Sequence, residues 1–108
     1  MINEKRLEEA LKFLSETDVE HAKLTAGVDY LKDLSKNMKG KFIVNCETEK
    51  AVSMKEHAWY ASDYYKKHID EKRALVEEAT KLDNHRSKEH LIIEVWRTLE
   101  ASRRKSVI

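Results

Sequence analysis

The chain has 108 residues and a formal net charge of +1, with 38% charged residues, two glycines, no proline and one cysteine. This length predicts one domain, and the balanced charge excludes a global field that attracts nucleic acid, so any anion-binding surface must come from local clusters of charge. The single cysteine excludes an intramolecular disulfide, and the scarcity of glycine and proline favours long helices over sheets.

The first predicted helix is short and covers about residues 3–16. Its apolar residues recur at helical spacing on one face, at Leu7, Ala10, Leu11 and Leu14. Asn3 is a suitable N-cap for this helix. Thr17 and Glu20 fit a capping box for a following helix, and the neighbouring polar side chains compete for backbone hydrogen bonds. We therefore predict a break or sharp bend near residues 17–18.

The second predicted helix covers about residues 18–46. Its apolar stripe approaches the heptad spacing of a coiled coil, with Leu24, Val28, Leu31, Leu34, Met38 and Phe42. Gly27 and Gly40 each cost up to about 1 kcal/mol relative to alanine, and a close approach of a neighbouring helix is one way to offset this. A short strand over 40–46 is the alternative, but the chain offers no second strand to pair with it.

The third predicted helix covers about residues 53–104, and Ser53 with Glu56 fits a capping box at its start. At 1.5 Å per residue its length is about 75 Å. Its apolar residues are Ala58, Ala61, Tyr65, Ile69, Leu75, Val76, Ala79, Leu82, Ile92, Ile93, Trp96 and Leu99. Residues 83–90 contain no apolar side chain, so this segment is either a solvated stretch of helix or a kink.

Together these elements predict an all-α fold, a long antiparallel coiled-coil helical hairpin preceded by a short N-terminal helix. The second helix is too short to cover the end of the third. Such a hairpin has no thick core of its own, and uncovered apolar surface favours self-association. We therefore predict a homo-oligomer whose interface contains Leu91, Ile92, Ile93, Trp96 and Leu99.

The sequence contains no motif of a known catalytic class, such as G-x-S-x-G or a glycine-rich phosphate loop. The five histidines include no H-x-x-x-H pair and no Glu-x-x-His that would indicate a di-metal site. We interpret His85 and Glu89, which are four residues apart, as solvated polar residues. Cys46 is interpreted as a core residue. We predict a non-enzymatic protein without a cofactor or a metal.

No apolar run approaches the roughly 18 residues that span a bilayer, and the N-terminal residues do not resemble a signal peptide. We therefore expect a cytoplasmic protein without membrane contact. This expectation leaves nucleic acid, another protein or a second copy of the chain as the possible partners.

Aromatic and basic residues provide the candidate binding surface. The aromatic cluster at residues 59–65 has two interpretations, a packing node beside the hairpin turn or a platform on which nucleobases stack. Lysines are spaced along one stripe of the second helix. The C-terminal segment carries more arginines than a favourable interaction with the helix dipole would explain. The candidate nucleic-acid-binding residues are Lys32, Lys36, Lys39, Lys66, Lys67, Arg97, Arg103, Arg104 and Lys105.

Two short blocks carry a resemblance to a known group of proteins. They are AWYASDYY, from Ala58 to Tyr65, and IEVWRTL, from Ile93 to Leu99. Both resemble blocks in small helical tailed-phage proteins from recombination modules, although Trp59 replaces a tyrosine of that group and Thr98 replaces a serine. In layout alone, the chain is similar to phage recombination mediator proteins, which form oligomeric rings and load a recombinase onto single-stranded DNA.

The resemblance implies a phage accessory protein of DNA recombination or replication, located in the host-cell cytoplasm. Such a protein binds single-stranded DNA as a homo-oligomer and assists a recombinase or annealing protein. The alternative is a structural or adaptor coiled coil that acts through protein–protein contacts only. We predict the DNA-binding function, because the resemblance favours it.

Overall fold

The computed structural model describes residues 2–48 and 50–107, which are helical apart from short connections. Three helices follow one another along the chain: α1 (Glu4–Asn45), α2 (Val52–Tyr60) and α3 (Asp63–Val107). The prediction of an all-α fold is confirmed. Within the described residues, no helix is both long enough and apolar enough to span a membrane.

The chain packs as two compact units. The terminal unit consists of Met1–Ala22 and Thr80–Ile108, and the central unit consists of Lys23–Ala79. Each unit therefore contains one part of α1 and one part of α3.

Contacts within each unit show that α1 and α3 run antiparallel, as expected for a hairpin. In the terminal unit, Arg6 contacts Glu89, while Thr17, further along α1, contacts an earlier residue of α3, Arg86. In the central unit, Gly27 lies beside Leu75. Phe42 packs on Trp59, which precedes α3 in the chain. The predicted antiparallel arrangement is confirmed.

The break predicted at residues 17–18 is wrong, because the predicted helices 3–16 and 18–46 are both parts of α1. Thr17 does not cap a helix. Its hydroxyl donates to the carbonyl oxygen of Phe13 at 2.8 Å and accepts from Arg86 at 2.6 Å. A threonine can bond the carbonyl four residues earlier while remaining inside a helix. The predicted N-cap is confirmed, since Asn3 Oδ1 accepts from the backbone N–H of Arg6 at 2.9 Å.

The capping box predicted at Ser53 and Glu56 is wrong. The helix α2 begins at Val52, and its N-cap residue Ala51 makes no side-chain hydrogen bond to the helix. The backbone N–H of Lys55 donates to the carbonyl of Ala51 at 3.0 Å, as in a regular first turn.

A break after Tyr60 divides the predicted helix 53–104 into α2 and α3. Ser62 occupies the N-cap position of α3: its hydroxyl accepts from the backbone N–H of Tyr65 at 3.2 Å. The same hydroxyl donates to the carbonyl of Trp59 at 2.6 Å, at the end of α2. Asp63 then follows in the first turn, where a negative charge is favourable. A single serine therefore ends one helix and begins the next.

Both long helices pack through residues spaced alternately three and four apart, the spacing of a coiled coil. In α1 the buried or half-buried positions with this spacing are Leu7, Ala10, Leu14, Thr17, His21, Leu24, Val28, Leu31, Ser35, Met38 and Phe42. In α3 they are Tyr65, His68, Lys72, Leu75, Ala79, Leu82, Arg86, Glu89, Ile93, Trp96 and Glu100. We call these two sets the seams of α1 and α3.

The seam of α3 contains charged residues where a coiled coil usually has apolar ones. Residues 83–90 continue the helix, and this segment supplies Arg86 and Glu89 to the seam. Among the described residues only Ala10, Trp59, His68 and Glu89 are fully buried, with 0–4% of their surface exposed. Half of the deepest positions are therefore polar.

Candidate functional site

The last turns of α3 carry an open groove with a volume of about 450 Å³. It is lined by Trp96, Arg97, Glu100, Ala101 and Arg104, and we call it the arginine groove. Arg97 and Arg104 are exposed, whereas Trp96 is partly covered. Because seven residues make about two helical turns, the two guanidinium groups lie on the same side of the helix. The structure thus brings two predicted nucleic-acid-binding residues together with one predicted interface residue.

The predicted oligomer interface divides into two faces. Ile92, Ile93 and Trp96 are half-buried and lie on the same side of α3 as the buried Glu89. Leu91, Val95 and Leu99 are spaced four residues apart and are 58%, 38% and 48% exposed; we call them the apolar stripe. Val95 was not among the predicted residues, although its spacing from Leu91 was visible in the sequence.

At about 100° per residue, the apolar stripe and the arginine groove lie on different flanks of α3. Val95 is about 160° away from Arg97 around the helix axis, and the half-buried face containing Trp96 lies between them on one side. A ligand in the groove and a helix packed on the stripe would therefore contact different surfaces.

The remaining C-terminal cations are arranged differently. Arg103 forms an ion pair with Glu100 at 3.3 Å, and its side chain is largely exposed. Lys105 is exposed and does not line the arginine groove. Exposed ion pairs of this kind contribute little to stability. Because its side chain is largely exposed, Arg103 remains accessible to an anion.

The aromatic cluster is a packing node in the central unit. Trp59 is 2% exposed, and its ring centroid lies 5.5 Å from that of Phe42 and 5.8 Å from that of Tyr65. A buried indole cannot stack on a nucleobase, so Trp59 does not form the alternative platform. Tyr60 and Tyr64 remain exposed.

The three lysines of the predicted stripe differ in their surroundings, and Lys39 is the one that contacts other side chains. The ammonium group of Lys39 donates to the hydroxyl of Tyr60 at 3.2 Å, lies 5.0 Å from the centre of the same ring, and lies 3.8 Å from a carboxylate oxygen of Glu56. The hydrogen bond to Tyr60 raises the pKa of Lys39, assisted by the charge of Glu56 and opposed by burial. Lys39 is therefore held against the aromatic cluster, whereas Lys32 and Lys36 are exposed.

A cavity of about 280 Å³ lies beside Lys39. Its lining consists of Ser35, Lys36, Lys39, Trp59, Tyr60, Tyr65, His68, Ile69 and Lys72, and we call it the lysine cavity. His68 and Lys72 were not among the predicted residues. Both occupy seam positions between Tyr65 and Leu75, so extending the three–four spacing through polar residues would have identified them. The predicted residues Lys66 and Lys67 are exposed and do not line this cavity.

A larger cavity of about 610 Å³ lies next to the end of α1. Cys46 lines it together with Phe42, Trp59 and other residues. The Cys46 thiol is partly exposed and lies 3.6 Å from the hydroxyl of Thr48. Its interpretation as a core residue therefore holds only in part.

The terminal unit contains a charged cluster on its seam. Glu89 Oε1 accepts from the Arg6 guanidinium at 2.8 Å and lies 3.5 Å from His85 Nε2. The hydrogen bond from Arg6 lowers the pKa of Glu89, and the charges of Arg6, His85 and Lys88 add to this against the effect of burial. His85 stacks on Phe13 with ring centroids 3.8 Å apart. The interpretation of Glu89 as a solvated residue is wrong, because Arg6 reaches it from α1.

The described residues contain no group of three histidine, cysteine, aspartate or glutamate side chains that could hold a metal ion. Comparisons with protein-family models, with curated proteins and with solved structures gave no match to this chain.

Proposed function

We propose that the protein is a non-enzymatic, homo-oligomeric helical hairpin that binds single-stranded DNA through the arginine groove of α3. The resemblance of two sequence blocks to phage recombination-module proteins supports the setting, in which the protein assists a recombinase or annealing protein in the host-cell cytoplasm. The observation that carries the proposal is the position of Trp96 beside Arg97 and Arg104 in one open groove.

The groove has the two components that bind a single strand without sequence preference. A partly exposed indole offers a face on which a base stacks, at about 1–3 kcal/mol per base. Guanidinium groups on the same side of the helix pair with the phosphates of the strand. The bases of a duplex are already stacked on one another, so this arrangement favours single strands.

Self-association through the apolar stripe strengthens this activity. Leu91, Val95 and Leu99 lie on a different flank of α3 from the arginines, so assembly leaves the groove open. Two or more grooves on one oligomer then bind one strand with greater avidity than a single groove.

The test is the fluorescence anisotropy of a labelled single strand and a labelled duplex over a series of salt concentrations. The wild-type protein should bind the single strand more tightly, with an affinity that falls as salt rises. The double variant Arg97→Ala/Arg104→Ala should weaken binding and reduce the salt slope by about 1.4, because each phosphate contact on a single strand contributes about 0.7.

The matched control is Lys5→Ala/Lys23→Ala, which removes the same charge from exposed positions outside the groove. This control should bind like the wild-type protein. Absence of binding at low salt, or an equal loss in both double variants, would rule out the groove as a DNA site.

The second candidate function is a protein–protein adaptor, and the half-exposed apolar stripe is the observation that favours it. In that case Leu91→Ser/Leu99→Ser reduces the mass measured by light scattering or abolishes a protein contact, and no variant shows salt-dependent binding to DNA. If the protein instead binds single-stranded DNA, the same variant reduces the mass and also lowers the affinity for DNA, because the avidity of the oligomer is lost.

A further inference from the structure

The lysine cavity contains a polar arrangement that the proposed function does not use. His68 lines it and is 3% exposed, and its Nε2 atom has no hydrogen-bond partner among the described residues. A buried polar atom without a partner has lost its hydrogen bonds to water, and no hydrogen bond within the protein compensates for that loss. Because His68 lines the cavity, a ligand bound there is a candidate partner for this atom.

Three lysines line the same cavity as this histidine. Lys36 and Lys39 come from α1 and Lys72 comes from α3, so the cavity is lined by cations from both sides. Within the described part of the chain, Lys36 and Lys72 have no ion-pair partner. Glu56 lies near Lys39 only, and no acidic side chain is among the lining residues. The lining of the cavity therefore carries a net positive charge.

The other lining groups fit a small anion with oxygen atoms. Ser35 and Tyr60 line the cavity and carry hydroxyls that can donate hydrogen bonds, and Tyr65 adds an aromatic ring to the lining. A volume of about 280 Å³ lies just below the range of about 300–1,000 Å³ that is usual for small-molecule sites. This size suits a single compact group better than an extended ligand.

We propose that the lysine cavity is a binding site for a phosphate group, contacted by Lys36, Lys39 and Lys72 and by the imidazole of His68. The group is either free inorganic phosphate or the phosphate of a nucleotide. This site lies in the central unit and is independent of the DNA groove, which lies in the terminal unit.

The test is an NMR titration of the full-length protein with inorganic phosphate at constant ionic strength, with chloride as the replaced ion. The imidazole signals of His68 should shift in a saturable way. The signals of His21 and His85 in the terminal unit should not, and they serve as internal controls. Absence of a saturable shift at His68, or an equal shift when chloride alone is varied, would overturn the proposal.

A pair of double variants tests whether the cavity lysines are responsible. Lys36→Ala/Lys72→Ala should weaken phosphate binding at least tenfold. Lys23→Ala/Lys50→Ala removes the same charge from exposed positions of the central unit outside the cavity and should leave binding unchanged. Circular dichroism verifies that both variants are folded, and neither changes a fully buried residue. An equal effect of both pairs would show a diffuse charge effect and would contradict a defined site.

Titrations with adenosine 5′-monophosphate and with adenosine distinguish the two sources of the phosphate. Tighter binding of the monophosphate than of inorganic phosphate identifies a nucleotide site, and equal binding identifies a phosphate site. Binding of adenosine without binding of phosphate would overturn the proposal. Failure of this site would leave the anisotropy results for the arginine groove unaffected.

Discussion

In the central unit the most buried side chains are Trp59 and His68, whereas in the terminal unit they are Ala10 and Glu89. Both units pair α1 with α3 through the same three–four spacing. In the central unit the seam residues Phe42 and Tyr65 pack on Trp59 of α2, and in the terminal unit the seam residue Glu89 pairs with Arg6. The two regions show that coiled-coil geometry does not require an apolar residue at each seam position.

The difference also concerns how completely polar groups are paired. In the terminal unit, Arg86 donates to the Leu14 carbonyl and to Thr17, and lies 3.6 Å from Asp18. In each unit, however, one buried polar atom has no hydrogen-bond partner among the described residues. These atoms are His68 Nε2 in the central unit and Glu89 Oε2 in the terminal unit, where the other carboxylate oxygen accepts from Arg6. Arg86 and Glu89 therefore hold α3 to α1 through side-chain hydrogen bonds, whereas His68 contributes no such bond.

The largest expected effect is in the central unit, on replacing Trp59 by alanine. Removal of a buried tryptophan typically costs about 3–5 kcal/mol, and the Phe42 and Tyr65 rings lose their shared neighbour. The free energy of unfolding, measured with a denaturant, should fall by this amount. Hydrogen exchange should locate the loss of protection in residues 23–79.

The control for this substitution is Tyr64→Ala, because Tyr64 belongs to the same cluster but is 69% exposed. Its effect should remain within about 0.5 kcal/mol, as for most surface changes. If the two alanine variants are equally stable, Trp59 is not the core of the packing node.

The next effect concerns the terminal unit and depends on pH. Because the pKa of Glu89 is lowered in the folded protein from its ordinary value of 4.5, its charged form stabilises the fold at neutral pH. This stabilisation is present above pH 4.5 and is lost as the pH falls through the lower pKa of the folded state. The Glu89→Gln variant should be less stable than wild type at pH 7, and the difference should shrink below pH 4.5.

Unfolding free energies measured from pH 7 to pH 3 test this prediction, with Glu16→Gln as the control. Glu16 is exposed and forms an ion pair with the exposed Lys12 at 3.8 Å, so its variant should follow the wild-type curve closely. A constant difference between Glu89→Gln and wild type across this range would show that the charge of Glu89 contributes nothing to folding.

Much of the fold could be predicted because the spacing of apolar residues along the sequence directly indicates a helix. The seam residues from Leu24 to Phe42, the Asn3 cap and the antiparallel pairing were all visible in the sequence. The break at residues 17–18 was predicted wrongly because local hydroxyl chemistry is ambiguous. The partner that holds Thr17 inside a helix, Arg86, lies 69 residues away in the chain.

The candidate sites were harder to predict, for two physical reasons. The spacing of apolar residues does not reveal polar residues of the seam. Arg86 and Glu89 were therefore interpreted as part of a solvated or kinked segment. The lysine cavity requires side chains from three helices, including Lys39 of α1, Tyr60 of α2 and His68 of α3. No single stretch of sequence contains that arrangement. By contrast, the arginine groove lies on one helix, and most of its residues were predicted.

The smallest expected change in stability concerns the two glycines of α1, both in the central unit. A Cβ atom added at Gly40 would meet nothing within 4 Å, whereas one added at Gly27 would lie 3.1 Å from Leu75 Cδ2. Gly40→Ala should therefore stabilise the protein by about 0.5–1 kcal/mol, the difference in helix propensity. Gly27→Ala should gain less or lose stability, because the Leu75 side chain must move.

A double variant separates these two contributions at Gly27. In the Leu75→Ala background the close contact is absent, so Gly27→Ala should recover most of the stabilisation expected from helix propensity. The coupling between the two positions is then the non-additive part of a double-mutant cycle, measured by chemical denaturation. Additive effects would mean that α1 and α3 do not approach closely at Gly27, and that this glycine serves no packing role in the central unit.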